Sequence, residues 1–168
     1  DVVRSRGLGD VYKRQVQTSG RGTNQNKWQN ADQSLATSLV FNKKIISFTK
    51  TLIPLLAGYS YVSLVKNKNL KLKWPNDIIF KNDKVGGVLV EENNELVCIG
   101  LGVNYFWENP SLPGAGAIYD EKQDDQKIFQ DAEEWGRTIL NYINNEDFSL
   151  ENYLSLIHIS EPTRPNNI

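Results

Sequence analysis

The sequence predicts an α/β fold, a mixed β-sheet with flanking helices in one layered domain. Three observations carry that expectation. A strand-length run, SLATSLVF (residues 34–41), is followed by a stretch with apolar residues at helical spacing. A series of short β-branched runs separated by turn residues then fills the middle of the chain. A second amphipathic stretch closes it. No internal repeat or low-complexity linker interrupts the order.

Each element has its own justification. In FTKTLIPLLAGYSYVSLV the residues Phe48, Leu52, Leu55, Leu56, Tyr59 and Val62 share one helical face. Pro54 is tolerated if this helix starts near Thr51, because proline suits a first turn. LKLKW (70–74) is a short strand. DIIF and KVGGVLVEE are strands joined through KNDK, where Asn82-Asp83 supplies turn chemistry. Asn93-Asn94 turns the chain into ELVCIGLGVN (95–104), another strand. The Pro- and Gly-rich segment 108–116 is a loop. Residues 126–143 form an amphipathic helix, with Ile128, Phe129, Ala132, Trp135, Ile139 and Tyr142 on one stripe.

The two ends carry a different signature. SRGLGDVYKRQ (5–15) and LSLIHISEPTR (154–164) are translations of one DNA sequence and of its reverse complement. Two natural segments have no physical reason to be related that way, whereas a sequencing-library adapter read at both ends of one insert does. Residues 1–15 and 154–168 are therefore expected to be adapter-derived and are set aside from fold reasoning. The natural insert is then 16–153.

That division bounds the chemistry. His158 is the single histidine and falls in the flank, so the insert holds no histidine base or ligand. Without the five basic and three acidic residues of the flanks, 14 Lys and Arg face 17 Asp and Glu. A net charge of −3 gives no bulk electrostatic case for nucleic acid. One cysteine, Cys98, excludes a disulfide framework within the chain and suits a reducing, cytoplasmic setting. No apolar run approaches the ~20 residues of a membrane span.

Three stretches carry candidate chemistry. In KWPND (73–77), proline ends a strand and leaves Asn76 and Asp77 at a corner where side chains can meet a ligand. The same residues also make a capped turn, and Trp74 fits either core or surface. Lys84 precedes Gly86-Gly87, and paired glycines in a strand mark close backbone approach. A lysine there suits a phosphate or carboxylate, or plain solvent. In IGLGVN (99–104), small residues on one face lead to Asn104, which suits a ligand or tight packing on a helix.

Together with QTSGRG (17–22) and Trp28 behind it, these motifs resemble the catalytic domain of biotin–protein ligases. KWPND, then KVGGVLVE (84–91), then IGLGVN occur in that family's order, over roughly residues 17–116, with a looser match to Tyr153. The resemblance implies a class II aminoacyl-tRNA-synthetase-like, biotin–lipoyl ligase catalytic fold, here incomplete. It implies ATP and biotin as substrates with Mg²⁺, no direct protein metal ligand, and biotinyl-5'-AMP as intermediate. The acceptor would be a lysine of a biotin carboxyl carrier domain. A homodimer is compatible with it; a membrane or nucleic-acid partner for these residues is not implied.

Carried over by position, Gln17, Arg21, Gly22, Thr23, Lys84 and Gly86 would bind biotin. Trp28, Asn76, Gly87, Gly100 and Asn104 would bind the nucleotide. Lys84, Arg21 and Asp77 would be catalytic, with Asp77 facing the acceptor lysine. Two departures stand out. Thr23 and Asn26 take the place of arginines common in the family's loop, so less fixed charge would retain the adenylate. The family's upstream Ser-Thr-Asn stretch and downstream β domain are missing, so the 168-residue chain itself is expected to be inactive and its parent active. Lipoate or octanoate ligases, a biotin-responsive regulator whose DNA-binding domain lies elsewhere, and a non-enzymatic binding module are the alternatives.

Overall fold

The structure, a computed structural model, describes residues 20–22, 27–29, 31–45, 51–65 and 69–145. The adapter-like ends, Phe48 and the site candidates Gln17 and Thr23 lie outside the described residues, as do the side chains of Arg21 and Lys27.

Two short strands, β1 (Gly20–Arg21) and β2 (Lys27–Trp28), pair antiparallel with Gly20 opposite Trp28. The main sheet has five strands: β3 (Gln33–Asn42), β4 (Lys71–Lys73), β5 (Asp77–Phe80), β6 (Asp83–Glu92) and β7 (Leu96–Phe106). Their order is β3-β7-β6-β5-β4, and all four pairings are antiparallel. Parallel pairing among the described residues is limited to isolated bridges, Lys84 with Ala115 and Phe106 with Tyr119. The expected α/β mixture is present, and strand direction mixes only at those bridges.

Helix α1 (Ile53–Leu64) starts where Pro54 demands, in the first turn, and is buried around most of its circumference. It lies between the sheet and helix α2 (Asp125–Asn145), so both of its sides meet protein, as an apolar helix requires. A Cβ on Gly58 would stand 2.9 Å from Leu72, which shows how closely α1 approaches β4. Trp135 of α2 is fully buried and its indole N–H donates to the Ala57 carbonyl at 3.0 Å.

The helices cover one face of the sheet. Leu35, Leu39 and Phe41 of β3, Val88 of β6, and Val97, Ile99, Leu101, Val103 and Tyr105 of β7 are buried there. A polar relay crosses this interior. Tyr61 donates to the Tyr105 hydroxyl at 2.9 Å, and Tyr105 donates to Asp131 Oδ2 at 2.7 Å. Lys127 pairs with the same carboxylate at 3.0 Å. Burial pushes both phenols well above the ordinary tyrosine value. Burial pulls Lys127 down, but the hydrogen bond and charge of Asp131 outweigh it and raise the ammonium.

Two local readings shift. The hairpin between β5 and β6 turns on Lys81 and Asn82, which have φ of 50° and 79°, and Asp83 is already paired with Phe80. Positive φ at both central positions marks a two-residue type I′ turn, so the turn sits one residue earlier than Asn82-Asp83. Trp74, which fitted core or surface equally, is 57% exposed.

Candidate active site

On the other face of the sheet a patch of small residues lies beneath Trp28, bordered by Leu89 beside Gly100. Strand periodicity places Ala36 and Ser38 of β3 beside Gly102 and Gly100 of β7, and Gly102 beside Gly87 of β6. A floor without side-chain bulk lets a flat ligand approach the backbone.

One irregularity builds the chemistry onto this floor. Ile78 pairs with Gly86 and Ile79 with Lys84, so β6 carries one extra residue between them. In a regular pleat Lys84 and Gly87, three apart, would point to opposite faces. The bulge restores them to the same face. Lys84 Nζ accordingly reaches back over Gly87 to pair with Asp77 Oδ1 at 2.5 Å. A Cβ on Gly87 would stand 3.7 Å from both Asp77 Oδ1 and Lys84 Cε.

Trp28 completes the group. Its ring stands over Gly102, where a Cβ would lie 3.5 Å from it, and Lys84 Nζ is 5.7 Å from the ring centroid. The Trp28 side chain thus anchors the base of the β1–β2 hairpin against the sheet. Gly22 follows β1 on the backbone, and the Arg21 backbone pairs with Lys27.

Asn76 acts as a clamp. Its side-chain N–H donates to the Val88 carbonyl at 2.8 Å, and its own carbonyl accepts from Val88 N–H at 2.9 Å. That double link fixes the corner from which Asp77 projects. Asn104 is 3% exposed, and its Nδ2 donates to the Gly116 carbonyl at 3.0 Å. Its Oδ1 is buried with no donor in reach among the described residues, leaving an acceptor for a ligand N–H.

The structure brings Trp28, Asp77, Lys84 and Gly87 together, with Asn76 and Asn104 at the margins. Gly86 points to the core, where a Cβ would meet the Gly102 carbonyl at 2.9 Å. Gly100 faces Leu89, and the glycine beneath Trp28 is Gly102. Sequence reasoning did not single out Gly102, although the alternation in IGLGVN put both glycines on one face. Among the described residues no group of three or more His, Cys, Asp or Glu could hold a metal, and no helix is long and apolar enough to cross a membrane.

The arrangement offers a cation and a carboxylate over a bare backbone floor, with an aromatic ring at one side. Such a site suits an anionic, partly planar ligand. Comparison with known proteins identifies the family. The model of the Biotin/lipoate A/B protein ligase family matches residues 9–104, more than half of the chain. Biotin–protein ligase 2 of Arabidopsis thaliana is 26% identical over 116 residues, covering 62% of this chain and 35% of that protein. The biotin–[acetyl-CoA-carboxylase] ligase of Paracoccus denitrificans is 29% identical over 112 residues, 61% of this chain and 45% of the relative. The chain thus spans less than half the length of these curated relatives.

Two solved structures extend the likeness to the fold. Biotin acetyl coenzyme A carboxylase synthetase of Helicobacter pylori, with bound biotinylated ATP, superposes with a TM-score of 0.61 at 25% identity. That match covers 83% of this chain and 62% of the other. The Aquifex aeolicus biotin protein ligase in complex with biotin and ATP gives 0.64 at 25% identity, covering 76% and 59%. The antiparallel sheet with helices on one face is therefore the class II synthetase-like fold of the biotin protein ligases. By sequence match and by fold, the chain belongs to the biotin/lipoate A/B protein ligase family.

Proposed function

We propose that this chain is part of the catalytic domain of an ATP-dependent biotin–protein ligase, with residues 16–153 as its natural portion and catalysis belonging to the full-length protein. The observation that carries the reading is Lys84, held by the β6 bulge over Gly87 between Asp77 and Trp28.

In the first step an oxygen of the biotin carboxylate attacks the α-phosphorus of ATP and pyrophosphate leaves, giving biotinyl-5'-AMP. Negative groups converge in that transition state, so a preorganised cation lowers its barrier. Lys84 supplies it, and Arg21 is the second candidate. Gly87 and Gly102 let the intermediate lie close to the sheet, while Trp28 covers one side. Asn104 Oδ1 accepts an N–H of the adenylate. Gln17, Gly22 and Thr23 remain proposed biotin contacts from the family likeness. Mg²⁺ would accompany the ATP polyphosphate as part of the substrate and neutralise its charge.

In the second step an uncharged lysine amine of a biotin carboxyl carrier domain attacks the anhydride carbonyl, and AMP leaves. Without ligand, Lys84 and Asp77 neutralise each other. An anionic intermediate that engages Lys84 releases the Asp77 carboxylate to take the proton of the incoming amine. The proposed setting is the cytoplasm.

Pyrophosphate exchange by the full-length protein tests the reading. Biotin is expected to support exchange, and lipoate and octanoate are not. Exchange driven by lipoate alone would transfer the protein to the other branch of the family.

A further inference from the structure

The loop from Glu108 to Ile118 lies beyond the residues matched by the family model, yet it hydrogen-bonds to Lys84, to Asn104 and to Gln29 beside Trp28. Lys84 N–H donates to the Gly114 carbonyl at 2.7 Å, and Gly116 N–H donates to the Lys84 carbonyl at 3.0 Å. Both backbone groups of the candidate catalytic lysine are therefore held by this one loop. The Gly116 carbonyl accepts from Asn104 Nδ2 at 3.0 Å, which sets the direction of the buried amide and leaves Oδ1 facing away from the loop. Ser111 Oγ donates to Gln29 Oε1 at 3.0 Å, beside Trp28.

Gly116 is the centre of these contacts, and it has no room to be anything else. A Cβ there would stand 2.9 Å from Asp83 Cβ, with Asp83 Oδ2 and Cγ at 3.4 and 3.5 Å. Asp83 Cβ is rooted on the first residue of β6, next to Lys84, so it cannot swing aside as a side-chain tip would. Any side chain at 116 must push the loop off β6 and pull on Lys84 and Asn104 together. By contrast, a Cβ on Gly114 meets nothing within 4 Å, although its φ of 75° still favours glycine.

We propose that Gly116 is a positioning residue of the active site: its backbone holds Lys84 and Asn104 in register, and its lack of a side chain is what permits this. The proposal rests on the ligase reading for its kinetic consequences, though not for its geometry. The β6–β7 ladder begins at Gly86 and stops short of Lys84. The loop takes the place of β7 on that edge with two hydrogen bonds to Lys84.

The test compares Gly116→Ala, Asp83→Gly and the double variant with wild type in the full-length protein. Three readouts are followed: kcat and KM for biotin in pyrophosphate exchange, amide hydrogen exchange at Lys84, and thermal stability. Gly116→Ala is expected to lower kcat about tenfold or more, by misplacing a group that acts in the transition state. KM should change less, and Lys84 amide exchange should accelerate. Asp83→Gly removes all three atoms that a Cβ at 116 would strike, so the double variant should return to within about threefold of wild-type kcat. Wild-type kcat and Lys84 protection in Gly116→Ala would overturn the proposal. So would a loss that Asp83→Gly fails to relieve while being active alone. If wild type shows no biotin-dependent exchange, the ligase reading fails, and Gly116 is judged on Lys84 protection, where an unchanged rate sinks it. Should Gly116→Ala not fold, the double variant decides: folded, with Lys84 protected, it upholds the steric argument, and unfolded it refutes it.

Discussion

Two adjacent glycines should respond in opposite ways to one added methyl group. At Gly86 the new Cβ would lie 2.9 Å from the Gly102 carbonyl oxygen, 3.2 Å from Val103 and 3.3 Å from Ile78. The first contact is to backbone in the neighbouring strand, so relief requires moving β7 away from β6. Overpacking of this kind costs about 1–3 kcal/mol. At Gly87 the nearest atoms are at 3.5 and 3.7 Å, ordinary van der Waals contact, so the fold has room. Alanine there also restricts the unfolded chain, which offsets any small strain by about 0.4–1 kcal/mol. Its methyl, however, projects between Asp77 and Lys84 onto the floor a ligand must approach. In the full-length protein, Gly86→Ala should lower the thermal midpoint by about 2–4 °C per kcal/mol lost. Gly87→Ala should leave the midpoint within about 2 °C yet weaken biotin and ATP binding at least about tenfold, or 1.4 kcal/mol. Calorimetry and titration in parallel separate the two effects. Equal destabilisation by both variants, or unaltered ligand affinity in Gly87→Ala, would refute the assignment of faces.

The buried relay yields two further expectations. Tyr105→Phe strips an acceptor from Tyr61 and a charge-assisted donor from Asp131, so urea unfolding should show a loss of about 2–4 kcal/mol. Tyr61→Phe removes only one donor and should cost less; the reverse order would count against the relay. Because folding raises both phenol values above the ordinary 10.0, the stability they contribute is intact below pH 10 and is lost as pH climbs beyond it. Phenolate absorbance from these two tyrosines should therefore emerge only as circular dichroism collapses, and full ionisation in a folded protein would contradict their burial. In the glycine loop, Thr23→Arg with Asn26→Arg should lengthen retention of biotinyl-5'-AMP. Equal half-lives would dismiss the idea that the loop's reduced charge matters.

Much of this architecture was legible in local pattern. DIIF stands as β5 at the expected limits, and both helices fall where apolar periodicity and the first-turn proline put them. Asp77, Lys84 and Trp28 meet because KWPND, the glycine pair and the GRG loop each mark a chain reversal or a thin strand. What escaped the sequence arises between elements. The bulge at Val85 is a property of β5–β6 pairing and leaves no trace in KVGGVLVE alone. The choice of Gly102 over Gly100 beneath Trp28 depends on where the β1–β2 hairpin lands. Trp74 is exposed because its hairpin turn projects beyond the paired Lys73 and Asp77, which composition cannot reveal. Gly116 was only one residue of a Pro- and Gly-rich loop until its partners on β6 and β7 were known.

The central claim is that Lys84 and Asp77, paired at rest, serve different half-reactions. Asp77→Asn and Lys84→Ala in the full-length protein, each assayed for pyrophosphate exchange and for transfer to a carrier-domain lysine, test it most directly. Asp77→Asn should keep exchange within about threefold of wild type while transfer falls at least about a hundredfold. Lys84→Ala should lose both. Transfer at the wild-type rate in Asp77→Asn, or exchange undiminished in Lys84→Ala, would contradict the account.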